Sequence, residues 1–320
     1  MTIGVLGAGA FGTALAITLA QSEPVLLWAR NTAHVRDMQK NRAHAARLPD
    51  VTFPDMLNVS GDLQDFKTVD VLLIAVPLQK LRGFLTEYAD ILRGKTLVAC
   101  CKGIELGTSL GPLEIIDAIL PETPRALLTG PSFAVDIAKG LPTALTLACS
   151  NMPLCIELQK RLSGETLRLY RSSDEVGASL GGALKNVVAI ACGAVIGARL
   201  GESARAALMT RGNAEMQRLA AFRGADPTTL SGLSGFGDLV LTCTSDHSRN
   251  YRLGLSIGSG SDFDGTITVE GAATARAVAV YAQNNALDLP IAETVAALVE
   301  KRLDIHGATT ALLSRSLKEE

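Results

Sequence analysis

"TIGVLGAGAFGTALAITLA", residues 2–20, contains the turn on which the fold depends. Gly7, Gly9 and Gly12 stand in GxGxxG spacing, directly after the apolar run 3–6 and at the head of a helical pattern. In a strand–turn–helix unit the first glycine permits the tight turn and the second lets the backbone approach a pyrophosphate. The third lets the helix pack closely on the strand, and amides at the helix start face the anion. Being free of charge, the same stretch imitates a signal peptide or a membrane span. No basic segment precedes it, and Gly4, Gly7, Gly9 and Gly12 weaken a spanning helix, so the expectation is a dinucleotide-binding βαβ unit and no membrane span.

Outward from this turn, short β-rich runs alternate with amphipathic segments up to about residue 172. "VLLW" from Val25, "VLLIAV" from Val71, "TLVACC" from Thr96, "RALLTG" from Arg125, "TALTLA" from Thr143 and "TLRLYR" from Thr166 read as strands. Several are apolar without alternation, as expected of parallel strands covered on both faces. Segments 13–21, 32–45, 78–92 and 153–162 read as helices. Beyond 172 the chain turns to Ala- and Leu-rich helical runs, at 182–198, 203–222, 249–258, 271–285, 291–303 and 308–317. Asp226-Pro227 and Leu289-Pro290 fit helix starts, and "GSGSDFDG" from Gly258 fits a turn. The fold class is therefore α/β: an N-terminal doubly wound Rossmann-type domain, 1–172, followed by an all-α domain, 173–320.

Composition limits the partners. The chain has 320 residues, a formal net charge of −2 and no sustained run of Lys or Arg, so it offers no electrostatic footprint for nucleic acid. The six cysteines are scattered in apolar strings, without CxxC or metal-ligand spacing, and read as reduced thiols of a cytoplasmic protein.

The candidate chemistry sits at strand ends and helix starts. In "LLWARN", Arg30 occupies the end of the second strand, where an acidic side chain normally accepts from the ribose 2′-hydroxyl of NAD. A guanidinium there suits a 2′-phosphate, hence NADP, with Asn31 and Thr32 either adding hydrogen bonds or simply capping a helix. "CCKGIE" and "LTGPSFA" put Lys102, Gly130, Ser132 and Ala134 just past strand ends, the edge where open α/β sheets bind ligands. In "GGALKNVVAIACGAVIGARLG", residues 181–201, the apolar run 187–198 is introduced by Lys185 and Asn186. Such an ammonium must reach water, face an anion or lose its proton readily. Asp238 in "SGFGDLVLTC" reads as an N-cap or a site carboxylate. Ser248, Arg249 and Asn250 read as a helix start able to hold phosphate, or as a cap and a surface charge.

"CKGIE", "GPSFA", "GGALKN", "GDLVLTC", "SRN" and "VEG", in this order after the glycine turn, closely resemble the bacterial NAD(P)-dependent glycerol-3-phosphate dehydrogenases across nearly the whole chain. Departures are small: Ala10 where serine is common, "CKGIE" for a more usual TKG, and a short stretch before "VEG". The resemblance implies reversible hydride transfer between a nicotinamide cofactor, NADP preferred over NAD, and C2 of dihydroxyacetone phosphate, giving sn-glycerol 3-phosphate for phospholipid synthesis. By this likeness Lys185 is the acid and base, with Lys102 raising the local positive charge and no metal needed. Lys102, Gly130, Ser132, Lys185, Asp238, Ser248, Arg249 and Asn250 contact substrate, while Asn186 and Thr242 support the catalytic group. The same likeness implies that Gly7, Gly9, Ala10, Phe11, Gly12, Arg30, Lys102, Ala134, Arg249 and Glu270 border the cofactor. The alternatives are a two-domain β-hydroxyacid dehydrogenase acting on a carboxylate and a dinucleotide sensor without turnover; the partners expected are the small-molecule substrate and a second copy of the chain in a homodimer.

Overall fold

The computed structural model describes residues 2–314. Its first part runs β1 (Ile3–Leu6), α1 (Ala10–Leu19), β2 (Val25–Trp28), α2 (Thr32–Asn41), β3 (Leu57–Ser60), β4 (Val71–Ile74), α3 (Leu78–Glu87), α4 (Ala89–Leu92), β5 (Thr96–Ala99), α5 (Pro112–Ile119), β6 (Arg125–Thr129), α6 (Ala134–Ala138), β7 (Thr143–Ala148), α7 (Met152–Leu162) and β8 (Leu167–Ser172). The helical part follows as α8 (Glu175–Gly197), α9 (Glu202–Phe222), α10 (Asp238–Cys243), α11 (Arg249–Ser259), α12 (Glu270–Asn284), α13 (Pro290–Val299) and α14 (Ile305–Leu313). The end of the helix expected over 308–317 lies outside the described residues.

The eight strands form one sheet in the order β3-β2-β1-β4-β5-β6-β7-β8. Its first six positions have the order of dinucleotide-binding sheets, with the reversal between β1 and β4. Every residue of β1 and β4 is buried, which is why these strands read as unbroken apolar runs. Helix α1 packs with α6 and α3 with α5, supplying the cover.

Two features lie outside the sequence reading and a third contradicts it. The strand β3 was not expected: "LNVS" is four residues long with only two apolar positions, and its parallel register on β2 rather than its composition makes it a strand. The strand β7 runs antiparallel to β6. The connecting helix α6 has five residues and spans only about 8 Å, too little to carry the chain back for a parallel return. Third, α2 stops at Asn41 instead of reaching residue 45, because Arg42 is left-handed at φ 50° and turns its guanidinium onto the carbonyls of Leu57 and Pro54.

The chain divides into two compact units. One holds the residues up to Lys102 together with Pro112–Ala178; the other holds Gly103–Gly111 and the chain from Ser179 onward. The core of the second unit is built on α8, whose Leu184, Val187, Val188 and Ile190 are buried with Met216, Leu219, Val278 and Val295. Helix α8 is long and apolar enough to cross a membrane by length and composition, but 83% of its most apolar window is buried inside the protein. Glycines explain how it packs. A Cβ at Gly193 would lie 2.0 Å from the Tyr251 carbonyl oxygen, and one at Gly254 would lie 2.1 Å from that of Ile190, so α8 and α11 touch backbone to backbone. All six cysteines are buried and unbridged.

Candidate active site

In the first unit the three glycines of the turn sit in three different surroundings. Gly7 adopts φ +120°, and a Cβ there would meet the Ala75 carbonyl oxygen at 2.7 Å, just past β4 at the reversal of strand order. A Cβ at Gly12 would strike the Gly7 carbonyl oxygen at 2.1 Å, whereas one at exposed Gly9 would meet nothing within 4 Å. Gly9 is the N-cap of α1 and carries no capping side chain, and the first turn holds no acidic residue. Ala10 and Phe11 follow, both half-buried. Open space over an uncapped helix start fits a dinucleotide phosphate.

Arg30 lies exposed two residues beyond β2. Beside it, the Asn31 side-chain oxygen accepts from the amides of Ala33 (2.9 Å) and His34 (3.1 Å), so the capping role holds for Asn31. At the C-terminal edge of the sheet, β5 and β6 run parallel and deliver their following loops side by side. Lys102 Nζ donates to the Gly130 carbonyl at 3.1 Å, and Ser132 Oγ donates to the same oxygen at 3.4 Å. Gly130 takes φ +134°, a conformation that favours glycine. Ala134 opens α6 next to them. Burial pushes the Cys100 thiol up to about 12, against the opposing pull of Lys102, so it stays protonated at neutral pH.

In the second unit Lys185 answers the question raised by its sequence: it faces an anion. Its residue surface is 7% exposed, and Nζ lies 2.9 Å from Asp238 Oδ1 and 2.7 Å from Thr242 Oγ1. The Thr242 hydroxyl is also 3.3 Å from Asp238 Oδ1. One turn separates Asp238 and Thr242 on α10, which puts both oxygens on one face. Asp238 is fully buried and is not the N-cap; a π-helical turn, Leu233–Gly237, precedes it, and Gly237 holds the cap position. Ser248 does cap: its Oγ accepts from the Tyr251 amide at 3.2 Å.

Asn186, Asn250 and Gly271 form a second connected set. Asn250 Nδ2 donates to Asn186 Oδ1 at 2.8 Å, and Asn250 Oδ1 accepts from the Gly271 amide at 2.9 Å. This fixes the start of α11, where Arg249 is exposed, against the start of α12, where Glu270 is half-buried. Gly271 was missed as a site residue. A Cβ there would meet Asn250 Oδ1 at 2.6 Å and the Asn186 carbonyl oxygen at 2.7 Å, and the only sequence signal was a glycine directly after the helix-opening Glu270.

Comparison with known proteins identifies the family of the chain. Residues 2–155 match the family described as NAD-dependent glycerol-3-phosphate dehydrogenase N-terminus, and residues 174–310 match its C-terminus. A glycerol-3-phosphate dehydrogenase (NAD(P)+) of Roseobacter denitrificans is 64% identical over the full length of both chains. That of a Ruegeria species is 60% identical, again over both full lengths. The crystal structure of glycerol-3-phosphate dehydrogenase from Coxiella burnetii superposes with a TM-score of 0.93 at 37% identity, covering 98% of this chain and 99% of that one. The chain belongs to the NAD-dependent glycerol-3-phosphate dehydrogenase family.

Proposed function

We propose that this protein reduces dihydroxyacetone phosphate to sn-glycerol 3-phosphate, reversibly, with NAD(P)H, and so supplies phospholipid synthesis. The observation that carries the reading is the buried Lys185 ammonium held by Asp238 and Thr242, in a chain whose full-length relatives carry that enzyme's name. When bound, the nicotinamide supplies the hydride. The glycine turn, with Ala10, Phe11 and the uncapped start of α1, holds the dinucleotide phosphates, and Arg30 takes the 2′-phosphate of NADPH, the preferred form. Ala134, Glu270 and Arg249 border the cofactor.

The remaining steps belong to the chain's own side chains. As C2 of the substrate gains a hydride its oxygen becomes an alkoxide, which needs a positive neighbour and a proton. Lys185 supplies both, donating from Nζ, and takes the proton back in the reverse direction. Asp238 and Thr242 keep Nζ in place, and the Asp238 carboxylate balances its charge in the interior. Lys102, Gly130 and Ser132 position the substrate oxygens. Arg249, Asn250 and the amides at the Ser248-capped start of α11 take the phosphate. Asn186 holds the Asn250 amide in the orientation that this requires. On this reading the enzyme works in the cytoplasm, a reducing setting in keeping with its six buried thiols.

The test is NADPH oxidation followed at the nicotinamide absorbance band with dihydroxyacetone phosphate, 2-ketopantoate and 6-phosphogluconate in parallel. Turnover with the first alone is expected. Preference for either carboxylate would replace the proposal with a β-hydroxyacid dehydrogenase, and binding without turnover on any of the three would replace it with a sensor.

A further inference from the structure

The loop between α2 and β3 brings a histidine, 36 residues away in sequence, to the glycine turn. His44 is buried, 7% exposed, and its Nε2 lies 3.1 Å from the Ala8 carbonyl oxygen. A carbonyl can only accept, so Nε2 carries the proton. The loop that presents the imidazole is itself fixed. Arg42 anchors it on the carbonyls of Leu57 and Pro54, Ala43 bridges Thr52, and the His44 carbonyl accepts from the Leu48 amide at 2.8 Å. Buried Leu48, Val51 and Phe53 seat it in the same core against which Ala8 and Ala10 pack.

The Ala8 carbonyl and the Gly9 amide belong to one peptide unit. The described chain has no cis peptide bonds, and in a planar trans unit the C=O and N–H point in opposite directions. A carbonyl drawn toward buried His44 therefore turns the Gly9 N–H the other way, away from the protein wall. Gly9 is exposed, and the position its Cβ would occupy is open. We propose that His44 is a positioning residue for the dinucleotide, aiming the Gly9 amide at the phosphates by holding the carbonyl on the opposite side of the same peptide. The proposal rests on the nucleotide-binding reading of the glycine turn given above.

The imidazole suits the task in its neutral form. Burial lowers its pKa below the usual histidine value. Arg47 and His34 act in the same direction, while the Ala8 carbonyl and the Asp37 carboxylate act against it. The neutral ring has one proton, and the Ala8 carbonyl selects the tautomer that carries it on Nε2.

The experiment is a fluorescence titration of the full chain with NADPH, in wild type, His44→Leu and His44→Gln, with thermal midpoints and steady-state constants measured alongside. Leucine removes the donor, whereas glutamine places an amide N–H about where Nε2 lies. Losing one such hydrogen bond is worth about tenfold, so Kd for NADPH should rise by about that factor in His44→Leu and stay within about threefold of wild type in His44→Gln. The kcat at saturating NADPH and the KM for dihydroxyacetone phosphate should not move. If His44→Leu does not fold, His44→Asn, whose amide ends short of the Ala8 oxygen, takes its place. Wild-type affinity in the donor-lacking variant, or equal weakening in His44→Gln, overturns the proposal. Absence of NADPH binding to wild type would instead sink the nucleotide reading on which it rests.

Discussion

Replacing Lys185 by methionine separates two consequences of one ion pair. Asp238 is fully buried and Lys185 nearly so, and the 2.9 Å contact between them compensates both charges inside the second unit. Removing one member of a buried pair costs about 3–5 kcal/mol, because the other charge is left in the interior. At about 2–4 °C per kcal/mol for a unit of this size, the thermal midpoint should fall by about 6–20 °C. The double variant Lys185→Met/Asp238→Asn removes the stranded charge as well and should recover most of that loss. Activity should not follow stability: both variants lack the proton donor and should lose at least about a hundredfold in kcat. Paired measurements by circular dichroism melting and NADPH oxidation read both effects. A single variant with the wild-type midpoint would show that Lys185 does not balance Asp238, and a folded variant with near-wild-type turnover would refute its role as acid.

Further perturbations isolate other parts of the account. Arg249→Ala should raise KM for dihydroxyacetone phosphate tenfold to about a hundredfold while leaving unphosphorylated dihydroxyacetone almost unaffected; equal losses on both would make Arg249 structural. Arg30→Asp should move the kcat/KM ratio of NADPH to NADH toward NADH, and an unchanged ratio would remove Arg30 as the selector. Burial pushes the Glu215 carboxyl up from 4.5 to about 7, although it accepts from the Ile291 and Ala292 amides at the start of α13. The folded state therefore holds this proton more tightly than the unfolded chain, and its stabilising contribution is complete below pH 4.5 and lost as pH rises through 7. Relative to Glu215→Gln, wild type should lose about 3 kcal/mol across that window in urea unfolding, and parallel curves would contradict the assignment.

What the sequence revealed depended on the range of the interaction. The glycine turn, the unbroken apolar strands and the helix starts at Pro227 and Pro290 are local signals, and each appears in the structure where the residues place it. Strand direction is not a local property: "TALTLA" reads the same parallel or antiparallel, and the short α6 decides. The ammonium of Lys185 was legible as a problem, but its solution lies 53 residues away on α10. This is also why Lys185→Met, harmless to folding when viewed on its own helix, becomes a stability variant once Asp238 is seen. Asp238 resembled an N-cap because a glycine precedes it, and only the π-helical turn before α10 removes it from that position. His44 gave no signal at all, since its partner is a backbone carbonyl and carbonyls have no sequence.

The proposed reaction is a direct transfer of hydride from the nicotinamide to C2 of dihydroxyacetone phosphate. Its most direct test uses NADPH deuterated at the transferable C4 position, with the product analysed by NMR and mass spectrometry. The expected product is sn-glycerol 3-phosphate carrying one deuterium, on C2. Product without the label at C2, or no product from dihydroxyacetone phosphate, would contradict it.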